Sequence, residues 1–144
     1  MRTTFSIITV LLLCGALSAQ PGLCPGNGNF VDSGQLIESG GSYDLALGDI
    51  DSDGDLDAYV ANGAFQYNIL WINQWDGQIG TLGLFEDSNQ DLGALNSQDV
   101  ALEDLDGDGD LDAVVVNLNQ SNYVWINEDG DFSQGQELGV GASW

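Results

Sequence analysis

The sequence predicts an all-β protein assembled from repeated, antiparallel, four-stranded units, and three observations support this prediction. A stretch of nineteen residues from Asp44, DLALGDIDSDGDLDAYVAN, recurs without a gap from Asp99 as DVALEDLDGDGDLDAVVVN. Short apolar runs rich in β-branched residues alternate with turns, in a chain that has 20 glycines and only 2 prolines. Beyond the N-terminal apolar stretch, no segment has the 3.6-residue apolar spacing of a helix.

Residues 1–19, MRTTFSIITVLLLCGALSA, are predicted to be a secretory signal peptide. Arg2 precedes an apolar run that is too short to span a bilayer, and small residues follow that run. We therefore expect a protein that is secreted to the extracellular space or the cell surface, with no membrane insertion of the mature chain. Residues 20–29 are expected to be a flexible segment, in which Cys24 has no intrachain disulfide partner after cleavage.

The charge of the chain excludes several classes of function. It has 23 acidic residues, no histidine and a single basic residue, Arg2, which is lost with the signal peptide. Nucleic acids and anionic membranes are excluded as partners, because binding to either requires lysine or arginine. Acid–base and oxyanion chemistry also lack their usual side chains, so we expect no enzymatic activity; a carboxylate-based glycoside hydrolase is the remaining enzymatic alternative. Any counter-charge must come from solvent or from bound cations.

The internal repeat extends beyond the nineteen aligned residues. LWIN at 70–73 matches VWIN at 124–127, and FVDSGQ at 30–35 matches FEDSNQ at 85–90. FSQGQELG, from residue 132, opens in a similar way. These matches divide the chain into a first unit, a second unit and the start of a third: 30–84, 85–131 and 132–144.

Each unit is predicted to contain four short strands. DLALGD alternates apolar and polar residues, DAYVAN and DAVVVN are compact apolar runs, and NILWIN and NYVWIN precede an Asp-Gly turn. A more polar fourth strand begins near Phe85 and again near Phe132. Four antiparallel strands per repeat of roughly 40–55 residues are typical of a propeller blade. We expect about two blades and the start of a third, which either form a fragment of a larger propeller or associate with further copies.

Two acidic loops carry the pattern D-x-D-x-D-G-x-x-D. Calcium takes 6–8 oxygen ligands from carboxylates, carbonyls and water, and the glycine permits a sharp reversal of the chain. We predict one Ca²⁺ in each loop, about two per chain. In both loops, positions 1, 3, 5 and 9 offer side chains and position 7 offers its backbone carbonyl. The predicted ligands are Asp49, Asp51, Asp53, Asp55 and Asp57 in the first loop, and Asp104, Asp106, Asp108, Asp110 and Asp112 in the second.

The residues around the loops discriminate between calcium-binding classes. An EF-hand requires Glu at loop position 12, where this chain has Val60 and Val115. Predicted strands, not helices, flank both loops. Magnesium is disfavoured because it requires strict octahedral geometry and retains its waters. A solvated acidic turn without metal remains the alternative.

The segment VALEDLDGDGDLDAVVVN, followed by VWINEDGDF and GQELG, resembles the VCBS/FG-GAP repeat, the blade of integrin-α-type β-propellers. The resemblance extends from Phe30 onward, although the "FG" and "GAP" motifs themselves are absent. It implies a calcium-loaded loop between the first two strands of each blade, in extracellular adhesion, binding and surface proteins. We therefore expect a module that binds or adheres to an extracellular protein or glycan. The alternative is a calcium-rigidified scaffold or a self-assembling unit without a ligand of its own.

Three further features of the sequence suggest roles. Trp71 and Trp125 occupy equivalent strand positions, which favours packing between blades over stacking on a glycan. Trp75 lies in a predicted turn, where it either stacks on a sugar ring or packs partially against the protein. Asn119-Gln120-Ser121 is a glycosylation sequon, used only if the source glycosylates its secreted proteins.

Overall fold

The structure is a computed structural model that describes residues 7–8, 34–38, 40–74 and 84–140. The predicted flexible segment with Cys24, Trp75 and most of the predicted signal peptide lie outside the described residues. The described part is all-β, which confirms the predicted fold class. Nothing in these described ranges is a helix with the length and apolarity needed to cross a membrane.

Twelve strands are described, and they are numbered in chain order. They are β1 (Ile7–Ile8), β2 (Ile37–Glu38), β3 (Ser42–Gly48), β4 (Asp57–Asn62), β5 (Gln66–Tyr67), β6 (Ile69–Asn73), β7 (Phe85–Asp87), β8 (Ala94–Leu95), β9 (Ser97–Glu103), β10 (Asp112–Asn117), β11 (Ser121–Glu128) and β12 (Asp131–Val140).

The strands form two antiparallel four-stranded sheets, as the repeat predicts. The order is β3-β4-β6-β7 in the first sheet and β9-β10-β11-β12 in the second. Two short ribbons, β1-β2 and β5-β8, complete the pairing. The last strand of the first sheet begins at Phe85, which is also where the second sequence unit begins. A sequence unit is therefore offset from a sheet, because its first residues form the fourth strand of the preceding sheet.

The pairing register divides each sheet into two faces, here called face A and face B. In the first sheet, face A carries the cross-strand row Ala46–Tyr59–Leu70, and face B carries the row Leu47–Ala58–Trp71. In the second sheet the equivalent rows are Ala101–Val114–Val124 on face A and Leu102–Ala113–Trp125 on face B.

The main core forms where face A of the first sheet packs on face B of the second. Trp125 is only 8% exposed in this core, which confirms the predicted packing between blades for this residue. The ring of Tyr59 meets that of Phe132 edge to face, with 5.8 Å between centroids. Trp71 packs instead in a smaller cluster on face B of the first sheet. The buried residues of the main core are Ile50, Tyr59, Ala61, Leu70, Leu92, Val100, Ala113, Val115 and Trp125.

Side-chain hydrogen bonds join the two sheets at their margins. The Asn127 amide Nδ2 donates to the Ile50 carbonyl at 2.8 Å. The Gln90 side chain accepts from the Phe132 N–H at 2.8 Å and donates to the Gly130 carbonyl at 2.7 Å. Because these contacts satisfy backbone groups that burial would otherwise leave without partners, they fix how the sheets are aligned.

Asp44 and Asp99 occupy equivalent repeat positions and meet at the boundary between the sheets. Burial raises the pKa of Asp44, but hydrogen bonds from the Val100 N–H, at 3.0 Å, and from Asp99 outweigh it, so that this pKa is lowered overall. The hydrogen bond to Asp44 raises the pKa of Asp99, with smaller contributions from burial and from repulsion by Asp44. The proximity of the two carboxyl groups thus makes ionisation of the second less favourable than ionisation of the first.

Leu92→Ala should lower the free energy of unfolding by about 2–5 kcal/mol, because it opens a cavity in the main core. Leu118→Ala, the same change at an exposed turn position, should stay within about 0.5 kcal/mol. Urea unfolding followed by tryptophan fluorescence would measure both. Equal losses at the two positions would contradict the described core.

Asp99→Asn should raise the urea midpoint at neutral pH, since an amide can donate to Asp44 without repelling it. A raised carboxyl pKa means that the folded state binds more protons than the unfolded state, so the stability contributed by this group falls as pH rises through its folded pKa. The advantage of the variant should therefore fade as pH falls toward about 4, the ordinary aspartate range. Asp131→Asn makes the same charge change at an exposed site, and an equal, pH-independent gain there would contradict the pairing.

Candidate metal centres

The two acidic loops connect equivalent strands, β3 to β4 in the first sheet and β9 to β10 in the second. Position 6 has positive φ in both, 97° at Gly54 and 107° at Gly109, as the predicted sharp reversal requires. Position 4 is also left-handed, with φ of 60° at Ser52 and 87° at Gly107. The two loops therefore share positive φ at positions 4 and 6 despite this difference in sequence.

The aspartate at position 9 anchors each loop to the sheet behind it. Asp57 is fully buried and accepts hydrogen bonds from the N–H groups of Ile50 and Asn73, both at 2.9 Å. Asp112 does the same with Leu105 and Asn127, again at 2.9 Å. Each carboxylate thus ties the start of its loop to the end of the third strand.

Carboxylates converge in both loops. Oxygens of Asp49, Asp51 and Asp57 lie within 4.8 Å of one another, and so do oxygens of Asp104, Asp106 and Asp108. The third member of the group is Asp57, at position 9, in the first loop, but Asp108, at position 5, in the second. The other predicted ligands lie outside these groups: Asp53, Asp55, Asp110 and Asp112.

Hydrogen bonds within the loops hold their carboxylates in place. In the first loop Asp49 accepts from the Gly54 N–H at 3.2 Å, whereas in the second Asp104 accepts from the Gly107 N–H at 2.7 Å. The Asp110 side chain accepts from the Asp129 N–H at 2.8 Å, in the turn between β11 and β12. That side chain is engaged by the turn, and the ligand predicted at this position remains the backbone carbonyl.

The electrostatics of the loops disfavour the charged form of several carboxylates. Burial raises the pKa of Asp51, and repulsion from Asp53 and Asp49 adds to it. Burial also raises the pKa of Asp57, against the opposing hydrogen bonds from Asn73 and Ile50. Desolvation, with repulsion from Asp108 and Asp112, raises the pKa of Asp106. A bound divalent cation would reverse these effects, because its charge favours the ionised form.

The donor set fits a hard cation. It consists of carboxylate and backbone oxygens, with neither histidine nor cysteine, and a chain with one basic residue cannot neutralise both loops by ion pairs. Calcium accepts such all-oxygen sites with flexible geometry. Asp49, Asp51 and Asp57 would hold it in the first loop, and Asp104, Asp106 and Asp108 in the second.

The sequence did not single out the asparagines at or next to the ends of the third strands. Asn73 and Asn127 supply the N–H groups that hold the position-9 aspartates. Their side chains donate to the Leu56 and Leu111 carbonyls, at 3.3 and 3.2 Å, and so hold the end of each loop. The repeated WIN motif was the available signal. Among the other predicted sites, Asn119 of the sequon is exposed in the turn between β10 and β11, with φ of 59°.

Paired four-stranded sheets with an acidic loop between their first two strands define a class of repeat proteins with propeller-type blades. Residues 49–115 match the model of the FG-GAP-like repeat, from the first acidic loop to the strand after the second. The resemblance to VCBS/FG-GAP repeats is thereby confirmed for this part of the chain. No curated protein and no solved structure showed significant similarity to the chain.

Asp57→Ala should lower the free energy of unfolding in chelator, since it leaves two buried N–H groups unsatisfied at about 1–3 kcal/mol each. The free energy of unfolding of Asp57→Asn should lie between those of the unaltered chain and Asp57→Ala, because the amide retains one acceptor oxygen. Asp53→Ala, at an exposed position that accepts one bond, should have a much smaller effect. Urea unfolding without calcium isolates this role from metal binding, and equal midpoints for the two alanine variants would contradict it.

Proposed function

We propose that this protein is a secreted, calcium-binding repeat module of the β-propeller type that binds an extracellular protein or glycan. The observation that carries the calcium proposal is the convergence of three carboxylates in each of two equivalent loops. Composition supports it, because 23 acidic residues accompany a single basic one. The signal-like N-terminus supports secretion. No catalytic role forms part of the proposal.

Calcium would act here on folding. Each loop joins the first two strands of a sheet, so carboxylate repulsion opposes the pairing of those strands. A cation that binds only the folded loops stabilises the folded state by mass action. Affinities of about 10⁻⁴–10⁻³ M are typical of extracellular calcium modules, so extracellular calcium would be sufficient to load them.

A shallow, open depression in the surface is where we propose that a ligand binds. It has a volume of about 380 Å³ and lies beside the β5-β8 ribbon. Tyr67 presents an exposed aromatic ring there, and the strand pairing of Tyr67 with Ala94 holds its backbone. Asp87, Asn89 and Asp91 add oxygen acceptors. Exposed aromatic rings beside such acceptors suit the apolar faces and hydroxyl groups of a glycan.

Isothermal titration calorimetry with Ca²⁺ should detect one ion per loop, with a smaller response to Mg²⁺. Asp49→Ala and Asp104→Ala should each remove one ion, because each deletes a convergent carboxylate. The thermal midpoint should rise in millimolar calcium and fall in chelator. Asp131→Ala, which removes one charge outside the loops, should retain both ions. Identical melting with and without calcium would overturn the proposal.

A further inference from the structure

The two sheets have nearly the same sequence, but several equivalent residues on their faces differ in exposure. On face B, Val100 of the second sheet is 6% exposed, whereas its repeat equivalent in the first sheet, Leu45, is 37% exposed. On face A the order reverses. Ala61 of the first sheet is fully buried, whereas its equivalent Val116 is 40% exposed. Among the described residues, face B of the first sheet along β3 and face A of the second sheet therefore lack the neighbour that covers the equivalent positions, whereas Ala58 and Val60 on face B of β4 are buried.

Equivalent residues of the two acidic loops also differ in exposure. Ile50, in the first loop, is fully buried in the main core between the sheets. Its repeat equivalent Leu105, in the second loop, is 48% exposed. Leu105 has the size and position to fill, in another sheet, the space that Ile50 fills within this chain. Large apolar side chains that are exposed next to one another on a surface often mark an interaction site.

On the side of the first sheet that faces away from the second, one contact matches a contact of the interface between the two sheets. The Gln35 side chain accepts from the Phe85 N–H at 2.9 Å and donates to its carbonyl at 2.6 Å. Gln90, its repeat equivalent, accepts from the N–H of Phe132, which is the equivalent of Phe85. The same glutamine contact is thus made at the fourth strand of both sheets.

The smaller apolar cluster repeats part of the main core. Ile37 is 2% exposed and packs with Ala58, Phe85 and Trp71. The main core holds the equivalent residues Leu92, Ala113, Phe132 and Trp125. Among the described residues, no face A of another sheet packs on the smaller cluster. In the main core, the first sheet contributes Ile50, Tyr59, Ala61 and Leu70.

One hydrogen bond across the two sheets has no equivalent at face B of the first sheet among the described residues. Asn127 Nδ2 donates across the sheets to the Ile50 carbonyl at 2.8 Å, as well as to Leu111 within its own loop. Its equivalent Asn73 donates to Leu56 in its own loop at 3.3 Å. The cross-sheet acceptor equivalent to Ile50 is Leu105, on the other side of the molecule. Another copy could supply this acceptor.

We propose that face B of the first sheet, with Gln35 and Ile37, binds face A of the second sheet of another copy of this chain. The contact would repeat, between copies, the interface that already joins the two sheets. Because it uses two different surfaces, the association is head to tail, and it produces either a closed ring or an open filament. With the two described four-stranded sheets per copy, a ring of 4–8 blades would contain about two to four copies. The proposal does not rest on calcium binding.

Charge complementarity does not drive this association, since every copy is strongly acidic. The formal charge of −22 opposes the approach of two copies. The interface itself is apolar, so salt should strengthen the association by screening the repulsion. An interaction carried by ion pairs would instead weaken in salt.

Complementation between two variants tests the head-to-tail geometry. Leu45→Asp blocks face B of the first sheet, and Val116→Asp blocks face A of the second; both positions are exposed and lie outside the acidic loops. In sedimentation velocity at high salt, each variant alone should be a monomer at concentrations where the unaltered chain associates. An equimolar mixture should form a dimer, because each variant retains the surface that the other lacks.

Phe65→Asp, at a turn residue that is 68% exposed, is the matched control and should associate like the unaltered chain. Urea unfolding of each variant checks that it remains folded. If the unaltered chain is a monomer at all concentrations, with and without salt, the proposal is wrong. This result is expected if another sheet or a different protein covers these faces. A dimer of Val116→Asp alone, or no dimer in the mixture, would overturn the head-to-tail geometry.

Discussion

The structure depends on one repeated interaction, the buried carboxylate at loop position 9 that accepts two backbone hydrogen bonds. Asp57 and Asp112 each fix the first residues of a loop against the end of a third strand. Without a fixed loop, the residue at position 2 would have no defined place. In the first loop that residue is Ile50, a fully buried member of the core between the sheets. A polar contact therefore positions both the acidic loop and part of the hydrophobic core.

The interface between the sheets combines two kinds of contact with different roles. Apolar packing of Trp125, Tyr59 and Leu92 supplies most of the stabilisation, because area removed from water is the dominant favourable term in folding. The bonds of Asn127 and Gln90 add less energy, but they are directional. They select one alignment of the two twisted sheets, which apolar contact alone would leave loosely defined.

Much of this architecture could be predicted from the sequence, since both the apolar alternation and the acidic spacing repeat. The four strands of each sheet follow from runs such as DAVVVN and from the turns between them. The environments of equivalent residues could not be predicted in the same way. Trp71 and Trp125 have similar local sequences, NILWIN and NYVWIN, and only the stacking order of the sheets places one of them in the main core. Likewise, nothing local explains why Asp57 joins the convergent carboxylates of its loop whereas Asp112 lies outside those of the second loop.

The offset between sequence units and sheets has a consequence for how such proteins can grow. The second and third units each begin with a strand that belongs to the preceding sheet, as Phe85 shows for β7. Duplication of one unit in the gene therefore inserts a strand that completes the older sheet, together with three that begin a new one. Every joint created in this way is closed by backbone hydrogen bonds inside a sheet. Gene lengthening by whole units thus preserves the connection between neighbours at each step.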